Sequence, residues 1–131
     1  MGVLLARLVP VLGGGRLLDT VGRPSKVALA LEAGYDAAFA RGEGLVDAVR
    51  AATGGRGVDV VLDPLGTLEL ESDFGVLASG GRIVMFGNAS GAPQGPLPAA
   101  GRLLGANAGV IGFSLSMAEG RGVGKYVVHI Q

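Results

Sequence analysis

The stretch from Thr53 to Gly66, TGGRGVDVVLDPLG, decides the fold. Val58, Val60, Val61 and Leu62 make a short, β-branched apolar run. It is entered through Gly54, Gly55 and Gly57 and left through Asp63-Pro64-Leu65-Gly66. A run of this length, apolar on both faces and bounded by turn residues, has the pattern of a strand buried in a parallel sheet. Pro64 has no N–H for a ladder, so pairing should stop there. Open α/β sheets place ligands just past the carboxyl ends of such strands. The same grammar recurs from Ala78 to Gly91, ASGGRIVMFGNASG, as a glycine turn, an apolar run Ile83 to Phe86, and a loop of small polar residues. Two consecutive strands, each ending in a loop suited to close ligand approach, predict a nucleotide-type sheet.

Outward from this pair the chain keeps alternating. Arg16 to Val21 reads as a strand followed by a turn at Gly22. Pro24 suits the first turn of a helix running over Val27 to Ala33 and stopped by Gly34. Asp36 to Ala40 is a weak strand, and Gly44 to Thr53 is amphipathic, with Leu45, Val46 and Val49 opposite Asp47 and Arg50. Thr67 to Ala78 reads as a helix packed through Leu68, Leu70, Phe74, Val76 and Leu77. The strand Arg82 to Gly87, a Pro/Gly loop to Pro98, a short helix Ala99 to Leu104 and a strand Ala108 to Phe113 follow. At the ends, Gly2 to Leu12 is helical in spacing but interrupted by Pro10, which leaves an extended form open, and Tyr126 to Ile130 is strand-like. Strands and helices at βαβ spacing predict a parallel sheet with right-handed crossovers.

Composition narrows the chemistry. The chain of 131 residues is expected to be one domain, 49 % hydrophobic and 17 % charged, against the roughly 25 % charged residues of ordinary domains. Its 25 glycines sit between apolar runs and read as turn punctuation. A net charge of zero offers no electrostatic footprint for nucleic acid or an anionic membrane. There is no cysteine, so disulfides and thiolate metal sites are excluded. His129, the one histidine, lies on an apolar strand and reads as structural. No metal site and no acid/base pair is expected from these residues. The N-terminal MGVLLARLVPVLGGG lacks a basic start, and Arg7 breaks its apolar run, so it does not read as a signal peptide. No window reaches the roughly 18 apolar residues of a membrane span, and a cytoplasmic protein is expected.

Four stretches together, TVGRPSKVALALEAGYDAAF, VRAATGGRGVDVVLDPLG, LASGGRIVMFGNASG and GVIGFSL, resemble the nucleotide-binding domain of medium-chain dehydrogenases/reductases. The likeness is nearest the zinc-independent quinone oxidoreductase branch and runs from about Arg16 to Leu115 in the family's order. It implies a Rossmann-like, doubly wound, mainly parallel α/β domain over residues 1–131 that binds NADP(H). The implied chemistry is hydride transfer to a quinone or an activated C=C. The family's first strand and most of its glycine-rich loop have no counterpart here, and Met1-Gly2-Val3 is similar to that loop's last part. The family's substrate domain has no counterpart either. In the order 3-2-1-4-5-6 the first strand is central, so its loss leaves sheet edges that invite pairing. Local rearrangement, or a homo-oligomer joined through sheet edges, is therefore expected. Two other readings stay open: a non-catalytic interaction protein that keeps the fold, and a small enzyme with repurposed chemistry.

The resemblance also implies a set of cofactor-binding residues. Gly2 falls in the phosphate loop. Gly22, Arg23 and Lys26 match the region that holds the 2′-phosphate of NADPH, with Arg41 adding a contact on the same side; cations near a helix start suit a phosphate. Asp63, Leu65 and Gly66 match the loop beside the adenosine and nicotinamide riboside, although Asp-Pro is equally a turn former. Gly87, Asn88 and Ser90 match the loop near the nicotinamide ribose. Phe113 and Ser114 fall where relatives line the nicotinamide pocket. No catalytic side chain is implied, because cofactor and substrate placement carries the chemistry.

Overall fold

The computed structural model describes residues 14–87, 91 and 93–114. The expectations for Gly2 to Leu12, for Tyr126 to Ile130 and for His129 lie outside the described residues. Two compact units emerge, one running through Ala48 and the other starting at Val49. Among the described residues every strand pair is parallel. Each pair is joined through a helix, which gives the Rossmann-like α/β pattern expected from the alternation.

In the first unit, β1 (Leu18–Val21) pairs with β2 (Ala37–Ala40), from Leu18 opposite Ala37 to Val21 opposite Ala40. A 3-10 turn, Pro24–Lys26, leads into α1, Val27–Ala33. Pro24 starts the turn because its fixed φ already suits a helix and its missing N–H is no loss there. Gly34 ends α1 at φ 114°, donating its N–H back to Ala30 and Leu31 carbonyls, a left-handed cap that glycine adopts without a steric penalty. Val21, Ala30 and Tyr35 form the core of this unit, with Leu17, Val27, Ala33 and Ala38 packed against it. The Asp36 carboxylate accepts from the Leu17 N–H at 2.7 Å and fastens the β2 entry to the residue before β1.

The second unit holds a sheet in the order β3-β4-β5: Val58–Asp63, Leu77–Met85 and Gly109–Gly112. α3 (Leu70–Val76) crosses from β3 to β4, and α4 (Ala100–Ala106) crosses from β4 to β5. Leu70, Phe74, Leu77 and Ile83 form the core, and Ile83 is 0 % exposed. Leu68, expected on the packed face of the helix, is 63 % exposed. It lies in the 3-10 turn Thr67–Glu69, whose tighter winding rotates it off the face that Leu70 and Phe74 share.

The glycine turn before β3 is as expected, but its anchor is not a glycine. Thr53 Oγ1 accepts from the Gly57 N–H at 3.0 Å and donates back to the last turn of α2, Leu45–Ala52. Helical spacing sets Arg50 opposite the apolar side of this helix. Its guanidinium instead donates to the carbonyls of Gly55, Gly75 and Leu77 at 2.9–3.1 Å. That fork ties the turn to the junction of α3 and β4. β4 also begins earlier than its apolar run suggests: Leu77 pairs with Val58, and the register then shifts before Arg82 meets Val60. Gly80, at φ 82°, lets the inserted residues fold out as a bulge.

Truncating Ile83 to alanine empties a fully enclosed space at the centre of this core. Ile83→Ala is expected to lower the unfolding free energy by about 2–5 kcal/mol, read from the shift in urea midpoint at unchanged slope. A cost under about 1 kcal/mol would mean that Ile83 is not the centre of this core.

Candidate functional site

Parallel pairing ends β3, β4 and β5 at one level, with Asp63 opposite Met85 and Met85 opposite Gly112. Hydrogen bonding continues one step past the strands: Phe86 N–H donates to the Asp63 carbonyl at 3.0 Å and Phe113 N–H to the Met85 carbonyl at 2.7 Å. The three loops that leave this edge therefore start side by side, at the end of the sheet where open α/β folds take ligands. Asp63, Leu65, Gly66, Gly87, Phe113 and Ser114 are all brought to it. Asn88 and Ser90, like Gly2, lie outside the described residues.

Asp63 is 3 % exposed and acts first as a turn former. Its Oδ1 accepts from Leu65 N–H at 2.7 Å and from Gly66 N–H at 3.1 Å. The turn-forming reading of this residue is thus met, and the turn it builds stands at the carboxyl edge of the sheet. Gly66 sits at φ 87°, and a Cβ on it would run into the Gln94 carboxamide. Gly87 passes so close to Pro64 that a Cβ would lie 3.1 Å from its carbonyl oxygen. The positive φ at Gly66 calls for glycine, and at Gly87 a Cβ would crowd the neighbouring loop. Phe113 is 41 % exposed, so it is not simple core.

Gln94 is not among the residues expected at this edge. Its Oε1 accepts from the Thr67 N–H at 2.9 Å, and Thr67 Oγ1 accepts from the Gly95 N–H. The Pro/Gly loop is thereby clasped onto the end of the β3 loop. A glutamine inside a loop without periodicity carries no signal of such a contact. Asp73 was also missed, although helical spacing puts it beside Leu70 and Phe74 on the buried face of α3. It is 9 % exposed, and burial first, then the Asp63 carboxylate and Glu69, push its carboxyl up to about 9.

In the first unit, Gly22, Arg23 and Lys26 are exposed directly after β1. Lys26 N–H bonds to the Arg23 carbonyl at 3.0 Å, which winds the turn so that the two cations leave one short segment. Arg41 follows β2 and donates its backbone N–H to the Val21 carbonyl at 2.8 Å, so it stands beside the end of β1. Among the described residues neither Arg23 nor Lys26 is in an ion pair. Arg41 is partly engaged, because it pulls down the Asp19 carboxyl, which burial raises above its ordinary value. Asp19, Val21, Lys26, Leu29, Ala30, Ala33 and Tyr35 line a groove of about 280 Å³. Burial and the nearby Asp19 charge raise the Tyr35 phenol as well.

Among the described residues no three His, Cys, Asp or Glu side chains group as a metal site would require. No helix among them is long and apolar enough to cross a membrane.

The family model described as zinc-binding dehydrogenase matches residues 1–125. A quinone oxidoreductase of Salmonella typhimurium is 40 % identical over 83 residues, covering 63 % of this chain and 25 % of its own length. The crystal structure of Escherichia coli quinone oxidoreductase complexed with NADPH superposes with a TM-score of 0.75 at 34 % identity, covering 88 % of this chain and 35 % of that one. A quinone oxidoreductase of Pseudomonas syringae gives a TM-score of 0.75 at 26 % identity over 88 % of this chain and 35 % of that one. The chain therefore spans about a quarter of the curated relative's length and about a third of each solved one.

Gln94→Ala removes the acceptor for Thr67 N–H without touching the core. Amide exchange at Thr67 is expected to speed up about tenfold, with total stability changed by less than about 1 kcal/mol. Unchanged exchange at Thr67 would mean that the clasp does not close in solution.

Proposed function

This chain belongs to the zinc-binding dehydrogenase family, and from that premise we propose that it is the NADP(H)-binding part of a quinone oxidoreductase-type reductase. The reaction it serves is hydride transfer to a quinone or an activated C=C. The observation that carries the cofactor assignment is the cation set behind the first two strands. Arg23 and Lys26 are exposed and outside any ion pair among the described residues, and Arg41 is anchored beside them through Val21. Charge-assisted hydrogen bonds from such groups suit a phosphate monoester. Within this unit, Arg23 and Lys26 would hold the 2′-phosphate, Gly22 would let it approach the backbone, and Arg41 would add a third positive charge.

Within the second unit, the loop built on Asp63, Leu65 and Gly66 would run beside the adenosine and the nicotinamide riboside. Gly87, with Asn88 and Ser90, would line the nicotinamide ribose, and Phe113 and Ser114 would bound the nicotinamide. The cofactor, when bound, supplies the hydride. The residues of this chain bind and orient it, and no side chain here is assigned a proton-transfer role. The described residues do not fit a zinc site, so no step is routed through a metal.

A second part of the reading concerns assembly in the cytoplasm as a homo-oligomer. Ile111 and Phe113 are 50 % and 41 % exposed on and just after β5, an edge strand among the described residues. Exposed apolar side chains along an open edge favour pairing with a second copy.

Calorimetric titration with NADPH, with NADH alongside, tests the cofactor assignment. Micromolar binding of NADPH is expected, weakened roughly tenfold in Lys26→Ala, the loss of about one charge-assisted hydrogen bond. NADH should bind more weakly and be indifferent to that substitution. Absence of binding by either nucleotide overturns the proposal and favours the interaction-protein reading.

A further inference from the structure

We infer that Asp73 is a neutral carboxylic acid that shares its proton with Asp63, and that this makes it the positioning residue of the loop after β3. Two buried oxygen atoms carry the inference, and the electrostatics of the pair agrees with them. Asp63 Oδ2 and Asp73 Oδ2 are both buried, and neither has a hydrogen-bond partner. The Asp63 carboxylate also acts on Asp73, as a hydrogen-bonding side chain and as a like charge, in the direction that favours the protonated form. An unpartnered buried oxygen is costly, and two adjacent buried carboxylates are costlier still. A single proton on Asp73, donated to Asp63 Oδ2, satisfies both oxygens at once and removes one of the two charges.

Nearby cations offer no substitute among the described residues. Arg50 donates to Gly55, Gly75 and Leu77 carbonyls, and Arg102 pairs with Glu71 while lying over the Phe74 ring. Arg56 pairs with Asp59 on β3, and Arg82 on β4 donates to the carbonyls of Gly80, Gly81 and Asn107. The charged group that adds to the field at Asp73, besides Asp63, is Glu69, which is acidic and also favours the protonated form. Burial acts in the same direction.

The consequence reaches the loop. Asp63 Oδ1 holds Leu65 and Gly66 N–H groups, and the shared proton fixes Oδ2 to α3. The carboxylate is thus clamped at both oxygens, to a helix that is itself held in the core through Leu70 and Phe74. The bearing of this clamp on nucleotide binding rests on the function proposed above; the clamp itself does not. Its pH dependence follows from the direction of the shift. The unfolded chain releases this proton near the ordinary value of 3.8, whereas the folded chain keeps it up to about 9. The stabilisation is full below the lower value and is lost progressively as pH rises through the higher one.

The test uses the full chain with ¹³C-labelled aspartate, its Cγ resonances assigned from Asp63→Asn and Asp73→Asn variants. The Asp73 resonance is expected to report a protonated carboxyl at pH 7 and to titrate in the alkaline range. In parallel, the wild-type melting temperature should fall by several degrees from pH 6 to pH 9. Asp73→Asn keeps a donor for Asp63 Oδ2 at every pH, so its melting temperature should move far less and the Leu65 and Gly66 amides should stay protected. An Asp73 resonance of an ionised carboxylate at pH 7 would overturn the inference, as would an equal pH slope in Asp73→Asn. NADPH titrated into wild type and Asp73→Asn keeps the two claims apart. Loss of binding in both removes the cofactor assignment, and the Cγ resonance still decides the clamp.

Discussion

The register that ends β3, β4 and β5 at one level is the constraint on which the rest of the second unit depends. It is a backbone property: Asp63, Met85 and Gly112 stand in line, and the next N–H groups continue the ladder past the strands. A slip of one residue would turn Ile83 out of the core and separate the loops that now leave the edge together. The bulge near the start of β4 protects this register. It absorbs the inserted residues far from the edge, leaving the run from Arg82 to Met85 in regular pairing with both neighbours.

Polar side chains then fix what the ladder leaves loose. Arg50 spans the turn into β3 and the junction of α3 with β4, offering its planar donors to backbone carbonyls. Arginine suits this position because a single rigid fork reaches several acceptors at once. At the opposite end, Asp63 does the same with acceptors, gathering N–H groups of the loop that follows it. One end of the sheet is thus tied by a cation and the other by an acid. Both side chains work on backbone groups that the strands cannot satisfy themselves.

The first unit separates its tasks differently. Its core is small, Val21, Ala30 and Tyr35, and Arg23, Lys26 and Arg41 follow the carboxyl ends of β1 and β2. Asp19 and Arg41 answer each other, and among the described residues Arg23 and Lys26 are in no ion pair. Pro24 contributes indirectly, since a helix that starts abruptly after an extended Arg23 presents both cations on a short exposed segment.

Much of this was legible in the sequence, because turns and periodicity are local. The strand at Val58, the glycine turn before it, the helix opened by Pro24 and closed by Gly34, and the loops at Asp63 and Gly87 all follow from φ preferences and side-chain spacing. Those constraints act within a few residues and hold wherever the segment goes. Three features came only with tertiary structure: the Arg50 fork, the Gln94 clasp and the pairing of Asp73 with Asp63. In each, partners far apart in sequence meet because a crossover helix or a long loop returns the chain to the sheet. Periodicity could place Asp73 on a buried face of its helix. It could not say that a second carboxylate would be waiting there, because the identity of a neighbour across a crossover depends on packing and not on spacing.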